Sequence, residues 1–183
     1  MYKEEKSAQI AAFFVEREGG KIPHLKLIKL MYIADRMSME KTGFPMTYDR
    51  MKSLPHGPIL DQTLNFIDSK PTPMPESWAK FLEKECRHTL TLHEEMEFSS
   101  LSLNDIDILN DVYDTYGHLG KYALRDLTHD PLHFPEWRDP NGSSLPIHYE
   151  DIFLAVGDSN ELASAKAEQI RTIEAIDNIF DSL

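Results

Sequence analysis

Apolar residues recur at helical spacing over most of this chain. Ala8, Ile10, Ala11, Phe14 and Val15 mark an amphipathic helix over Glu5 to Glu18, which Gly19-Gly20 would end as a C-cap does. Pro23 stands where a first helical position tolerates a missing N–H, and a second helix is predicted from His24 to Lys41. Leu27, Leu30, Met31 and Ala34 occupy one face of it, while Ile28, Tyr32 and Ile33 fill the next. So wide an apolar girth belongs to a helix buried from more than one side, the expected centre of the core.

Gly43-Phe-Pro45 breaks that helix, and Met46 to Leu54 carries no helical period. Pro55-His-Gly-Pro58 signals a turn, with Pro58 placed to open a further helix along Ile59, Leu60, Leu64 and Ile67. Pro71 to Pro75 is a short stiff connection, and Ser77 to Glu85 reads as helix. Leu90, Leu92, Met96 and Phe98 fall on even positions, which points to a hairpin or a pair of short strands. Ser102 can cap a helix carrying Ile106, Leu109, Val112, Tyr113 and Tyr116. Short helices follow over Lys121 to Leu127 and Ile147 to Val156, and Asp158 or Ser159 can cap a last one running to Asp181. The expectation is a mainly α fold: one domain over residues 1–183, built around the buried second helix, with at most a small β-hairpin or short strands.

Composition narrows the function. With 41% hydrophobic and 27% charged residues the chain has the balance of an ordinary folded protein, and no apolar run approaches the roughly 20 residues a bilayer span requires. The N-terminus enters amphipathic helix without an apolar signal core, and Cys86 is the single cysteine, so the cytoplasm is the expected compartment. A formal charge of -12 repels phosphate backbones and favours a basic protein partner.

Reactive side chains concentrate in Leu127-Thr-His-Asp-Pro-Leu-His-Phe-Pro-Glu-Trp137. His129, Asp130 and His133 have the residue types of a metal-dependent hydrolase site. Against this, Pro131 and Pro135 push the residues before them out of the helical region, so the two histidines lose the geometry that would make them converge. The structural alternative has His129 closing a helix C-terminus while Pro135 and Trp137 fold an aromatic anchor onto the core. His56 has no identifiable partner in the sequence, and neither a Gly-x-Ser-x-Gly elbow nor a phosphate-binding glycine loop occurs. Lys21, Lys26, Lys29 and Arg36 surround the second helix. They would suit a DNA-binding autoregulator only if a dimer aligned them. The competing reading is that they snorkel around a buried helix and pair with acids, and no helix-turn-helix supports the first.

Two blocks acquire meaning together. Lys26-Leu-Ile-Lys-Leu-Met-Tyr-Ile-Ala-Asp-Arg36 leads to Thr42-Gly-Phe-Pro45 and His56-Gly-Pro58, and Leu127-Thr-His129 leads to Pro135 and Trp137. In order and spacing they resemble the Panacea domain, also called the SocA-like antitoxin or GepA phage-associated family, over about residues 25–152. One departure is Glu136, which separates Pro135 from Trp137 where the pattern has the two adjacent. The resemblance implies a mainly helical prokaryotic or phage antitoxin that neutralises a cognate protein toxin by direct contact. Its alternative is an adaptor that delivers the toxin to the ClpXP protease. No cofactor and no catalytic residue come with the family, and homodimerisation is left open. The residues expected to form the toxin-binding or signature surface are Tyr32, Asp35, Arg36, Tyr48, His56, Gly57, Pro58, Thr128, His129 and Trp137. Asp35 and Arg36 would supply charge-assisted contacts, and Tyr48 or Trp137 an aromatic anchor.

Overall fold

Every residue from Lys26 to Asp35 is buried, so the helix that carries them, α2 (His24–Thr42), is covered on all sides. The computed structural model describes residues 2–68, 73–86, 88–93 and 98–180. Around α2 pack α1 (Glu4–Arg17), β3 (Gly57–Leu60), α5 (Leu103–Tyr116), α6 (Lys121–Thr128) and α7 (Tyr149–Ala155). Phe14, Leu27, Leu30, Met31, Tyr32, Leu109 and Phe153 meet in one apolar cluster. Gly43 ends α2 in the left-handed region at φ 83°, its N–H on the Met39 carbonyl, as the predicted break at Gly43-Phe-Pro45 requires.

The expectation of a mainly α fold with at most a small hairpin is corrected by two three-stranded antiparallel sheets. One runs in the order β1 (Lys21–Pro23), β5 (Thr89–Leu92), β4 (Leu82–Cys86); the other runs β3, β2 (Met51–Leu54), β6 (Leu145–Ile147). The chain is a helix-dominated α/β mixture. Of the expected hairpin or short strands, Leu90 and Leu92 lie in β5; the other strands escaped detection because each has three to five residues, too few for a period of two to stand out. In addition, β1 and β6 find their partners far along the chain, at Thr89–Thr91 and Met51–Ser53.

Three local expectations change with the sheets. The segment expected to be helical from Ser77 to Glu85 divides into α4 (Glu76–Ala79) and β4. Ile147, expected in a helix, ends β6. Pro58 opens no helix: it lies in β3 opposite Ser53. The next helix, α3 (Asp61–Asp68), begins where the Asp49 carboxylate accepts the backbone N–H groups of Gln62 at 2.9 Å and Thr63 at 2.8 Å. Capping, and not the proline, sets that start.

Other expectations hold. Ser102 and Asp105 form a reciprocal capping box at the start of α5, and Ser159 Oγ accepts the Leu162 N–H at the start of α8 (Asn160–Phe180). The expectations at Pro71, Met96 and Asp181 fall outside the described residues. Among the described residues no helix is long and apolar enough to cross a membrane.

Candidate functional site

Three backbone carbonyls of the β2–β3 hairpin are each met by a side chain from elsewhere in the chain. The Trp137 indole N–H donates to the Leu54 carbonyl at 3.1 Å. His129 places Nε2 3.0 Å from the Pro55 carbonyl, so the neutral ring carries its proton there. From the second turn of α2, the Lys29 ammonium donates to the Pro58 carbonyl at 2.8 Å. Trp137 and His129 also meet edge to face, ring centroids 4.6 Å apart. The turn is therefore held by both signature blocks at once.

Electrostatics follow from enclosure. Burial brings the Lys29 ammonium down from 10.5 to about 7. Partial burial and the nearby Lys29 charge hold His129 below its usual value, against the pull of the Pro55 carbonyl. Gly57 makes this packing achievable. Its φ of 95° is a left-handed conformation, and a Cβ there would lie 2.6 Å from Lys29 Nζ and 2.8 Å from Thr128 Oγ1. Thr128 is itself buried, its hydroxyl on the Arg125 carbonyl at 3.0 Å.

Glu136 organises the neighbouring part of the loop. Its Oε1 accepts from Tyr32 Oη at 2.9 Å and from Arg36 Nε at 2.7 Å, and its side chain is wholly buried. The Arg36 guanidinium lies over the Phe134 ring, 4.8 Å from its centroid, and reaches the His133 carbonyl at 3.3 Å. Burial and the Glu136 carboxylate raise the Tyr32 phenol well above its ordinary value.

Asp35 serves a different loop, accepting the N–H groups of Met46 at 2.9 Å and Thr47 at 3.0 Å together with the Thr47 hydroxyl. Burial pushes its carboxyl up to about 7 although those donors favour the charged form. Tyr48 follows at φ 54°, packed under the Lys3 ammonium at 4.7 Å from its ring. It lines a separate depression beneath α8 with Tyr2, Gln62 and Asn178.

Of the residues singled out in the sequence, Gly57, Pro58, Thr128, His129 and Trp137 thus come together, while Tyr32 and Arg36 meet at Glu136 in the neighbouring part of the loop. Asp35 and Tyr48 stand apart from the hairpin clamp, and His56 is exposed at the hairpin tip. Tyr32, Asp35, Tyr48, Gly57, Pro58 and Thr128 are buried. They support a surface and do not form one.

The same arrangement bears on the other candidate chemistry. His129 turns its Nε2 to the Pro55 carbonyl, whereas His133 Nδ1 pairs with Asp130 Oδ2 at 2.8 Å, so the two rings serve different partners. Among the described residues no group of three side chains is placed to hold a metal ion. Lys21 and Lys26, which with Lys29 and Arg36 raise the DNA alternative, pair with Glu85 at 2.7 Å and Glu18 at 2.5 Å.

A family model described as antitoxin SocA-like, Panacea domain, matches residues 27–138. The chain belongs to that family. The match begins on α2 just before Lys29 and ends just after Trp137, so it encloses the whole clamp of the Panacea domain described above. No curated protein and no solved structure matches the chain.

Two members of this Panacea-domain site are not expected from the sequence. Lys29 groups there with snorkelling cations, yet its position inside an otherwise apolar helical girth is a signal that it is enclosed. Glu136 reads there only as an interruption between Pro135 and Trp137. An acid whose side chain is enclosed has to find a cation, and Arg36 provides it.

Proposed function

We propose that this chain is a binding protein that neutralises a basic protein toxin by direct contact, without catalysing a reaction. The observation that carries the reading is the match to the SocA-like antitoxin family over residues 27–138, the stretch in which the two signature blocks lock together around one hairpin. Two further features support it. The formal charge of -12 suits a basic partner. Two side chains of the site with the chemistry of a base or nucleophile, His129 and Lys29, are committed to backbone carbonyls.

The test is co-expression with the open reading frame adjacent to that of this chain, followed by co-purification. Growth arrest by the neighbour alone, relieved by this chain in a stable complex, is the expected result. Relief without a complex would overturn direct neutralisation. Relief that disappears in cells lacking ClpXP would replace stoichiometric inhibition by delivery to that protease.

A further inference from the structure

The turn that follows α6 is pinned at many points yet presents a large apolar side chain to solvent. Asp130 accepts the Leu132 N–H on Oδ1 at 2.9 Å and holds His133 on Oδ2, and its backbone carbonyl accepts the N–H groups of His133 at 3.0 Å and Phe134 at 2.8 Å. Arg36 fixes the His133 carbonyl from below. On this rigid backbone Leu132 is 89% exposed. An apolar residue so presented has already lost most of the backbone entropy that binding would otherwise cost.

The same loop runs directly into a depression of about 350 Å³ lined by Pro135, Glu136, Arg138, Asp151, Leu154 and Ala155. Its rim is apolar: Pro135 is exposed and Leu154 is 43% exposed. Of its two carboxylates, Glu136 has a wholly buried side chain, which leaves Asp151 as the acid facing the depression, with Arg138 beside it. The Glu136 carboxylate is already engaged by Tyr32 and Arg36. Asp151 uses Oδ2 to cap α7 through the His148 N–H at 2.8 Å, while Oδ1 faces Arg138 Nη2 at 2.9 Å. The Arg138 side chain is 68% exposed, so this pair is a surface ion pair that contributes little to stability and is open to exchange.

We infer that this depression is the socket for a lysine or arginine of the protein partner. The partner's aliphatic stem lies along Pro135, Leu154 and Ala155, and its charged end takes the place of Arg138 on Asp151. Leu132 packs beside it as the apolar companion. This rests on the antitoxin reading above and adds to it the position and chemistry of the contact. A basic side chain is the occupant that fits, since its stem matches the apolar rim, its charge matches Asp151, and the acidic chain as a whole attracts cations. Arg138 then acts as an internal stand-in for the partner's residue.

The stand-in makes the test asymmetric. The affinity of the full chain for the polypeptide encoded beside it is measured by titration calorimetry for wild type, Leu154→Arg, Leu132→Ser and Arg138→Ala. Urea midpoints establish that each variant is folded. Leu154→Arg fills the socket with like charge and is expected to weaken binding roughly 30-fold or more, and Leu132→Ser about 10-fold. Arg138→Ala vacates Asp151 and is expected to leave binding unchanged or to tighten it several-fold. Loss of affinity in Arg138→Ala comparable to that in Leu154→Arg would overturn the socket, because Arg138 would then be an anchor toward an acidic partner. Unchanged affinity in Leu154→Arg and Leu132→Ser, with wild type binding, would overturn the socket and leave the antitoxin reading standing. Failure of wild type to bind at all would overturn the antitoxin reading and the socket with it. A second copy of this chain occupying the face would appear as self-association abolished by Leu154→Arg, and would likewise overturn the proposal.

Discussion

Replacing Gly57 by alanine tests the packing on which the whole clamp depends. The added Cβ would sit 2.6 Å from Lys29 Nζ and 2.8 Å from Thr128 Oγ1, on a residue whose φ is 95°. Left-handed backbone with a Cβ costs roughly 1–2 kcal/mol. Relief of the clash requires Lys29 to withdraw from the Pro58 carbonyl, and a buried charge-assisted hydrogen bond left unmade costs about 1.5–3 kcal/mol. Together the loss is about 2.5–5 kcal/mol, which at a urea dependence of roughly 2 kcal/mol per M lowers the unfolding midpoint by about 1.3–2.5 M. Gly142 separates the two contributions. It has φ 83° with nothing within 4 Å of where a Cβ would stand, so Gly142→Ala carries the backbone cost alone, about 1 kcal/mol. Equal midpoint shifts in Gly57→Ala and Gly142→Ala would refute the steric argument, and with it the claim that Lys29 and Thr128 leave no room at the turn.

Three further outcomes follow from the same geometry. Lys29 holds its proton less firmly when folded, at about 7 against 10.5, so the unfolded chain binds more protons across that range. Its contribution to stability therefore rises with pH from about 7 to about 10.5, by at most about 1.4 kcal/mol per unit, and Lys29→Met removes the rise in urea midpoints measured along that series. Trp137→Phe keeps a ring beside His129 but leaves the Leu54 carbonyl without its donor, for a loss of about 1 kcal/mol. Combined with His129→Ala it should depart from additivity by about 0.5–1.5 kcal/mol, and strict additivity would show that the two rings are not coupled. Glu136→Gln keeps the side-chain shape but leaves the Arg36 charge without its carboxylate, a loss of about 3 kcal/mol in thermal or urea unfolding. Tyr32→Phe should then cost less in the Glu136→Gln background than in wild type.

Much of the helical frame could be read from the chain because long amphipathic segments repeat their signal. The apolar girth of α2, the Ser102 cap and the Gly43 break each rest on several residues that agree. The sheets could not be read because strands such as Lys21–Pro23 and Leu145–Ile147 exist only through partners far along the chain. Residue type also misled about depth. Tyr32 and Asp35 have side chains that suit a binding surface, yet on a helix surrounded by packed elements they turn inward and need internal donors and acceptors. Lys29 posed the reverse problem, since an isolated lysine in an apolar girth can either snorkel outward or find a carbonyl within. Only the position of the Pro58 carbonyl decides between these.

The clamp also separates what must stay fixed from what can change. Lys29, His129 and Trp137 grip the carbonyls of Pro58, Pro55 and Leu54, groups that every residue carries, so the turn's own side chains need not take part. His56 accordingly stands exposed at the tip without disturbing the grip. Leu132 and Arg138 lie outside the clamp, on the loop that the clamp and the Arg36–Glu136 pair hold in place, and Leu154 lies on α7, which packs on α8 and α2. A chain built this way can exchange those exposed residues at small cost to stability, because surface substitutions away from caps and buried networks usually change it by about 0.5 kcal/mol or less. Under the socket proposal, recognition of a new partner would therefore arise at its rim while the signature beneath it remains the same.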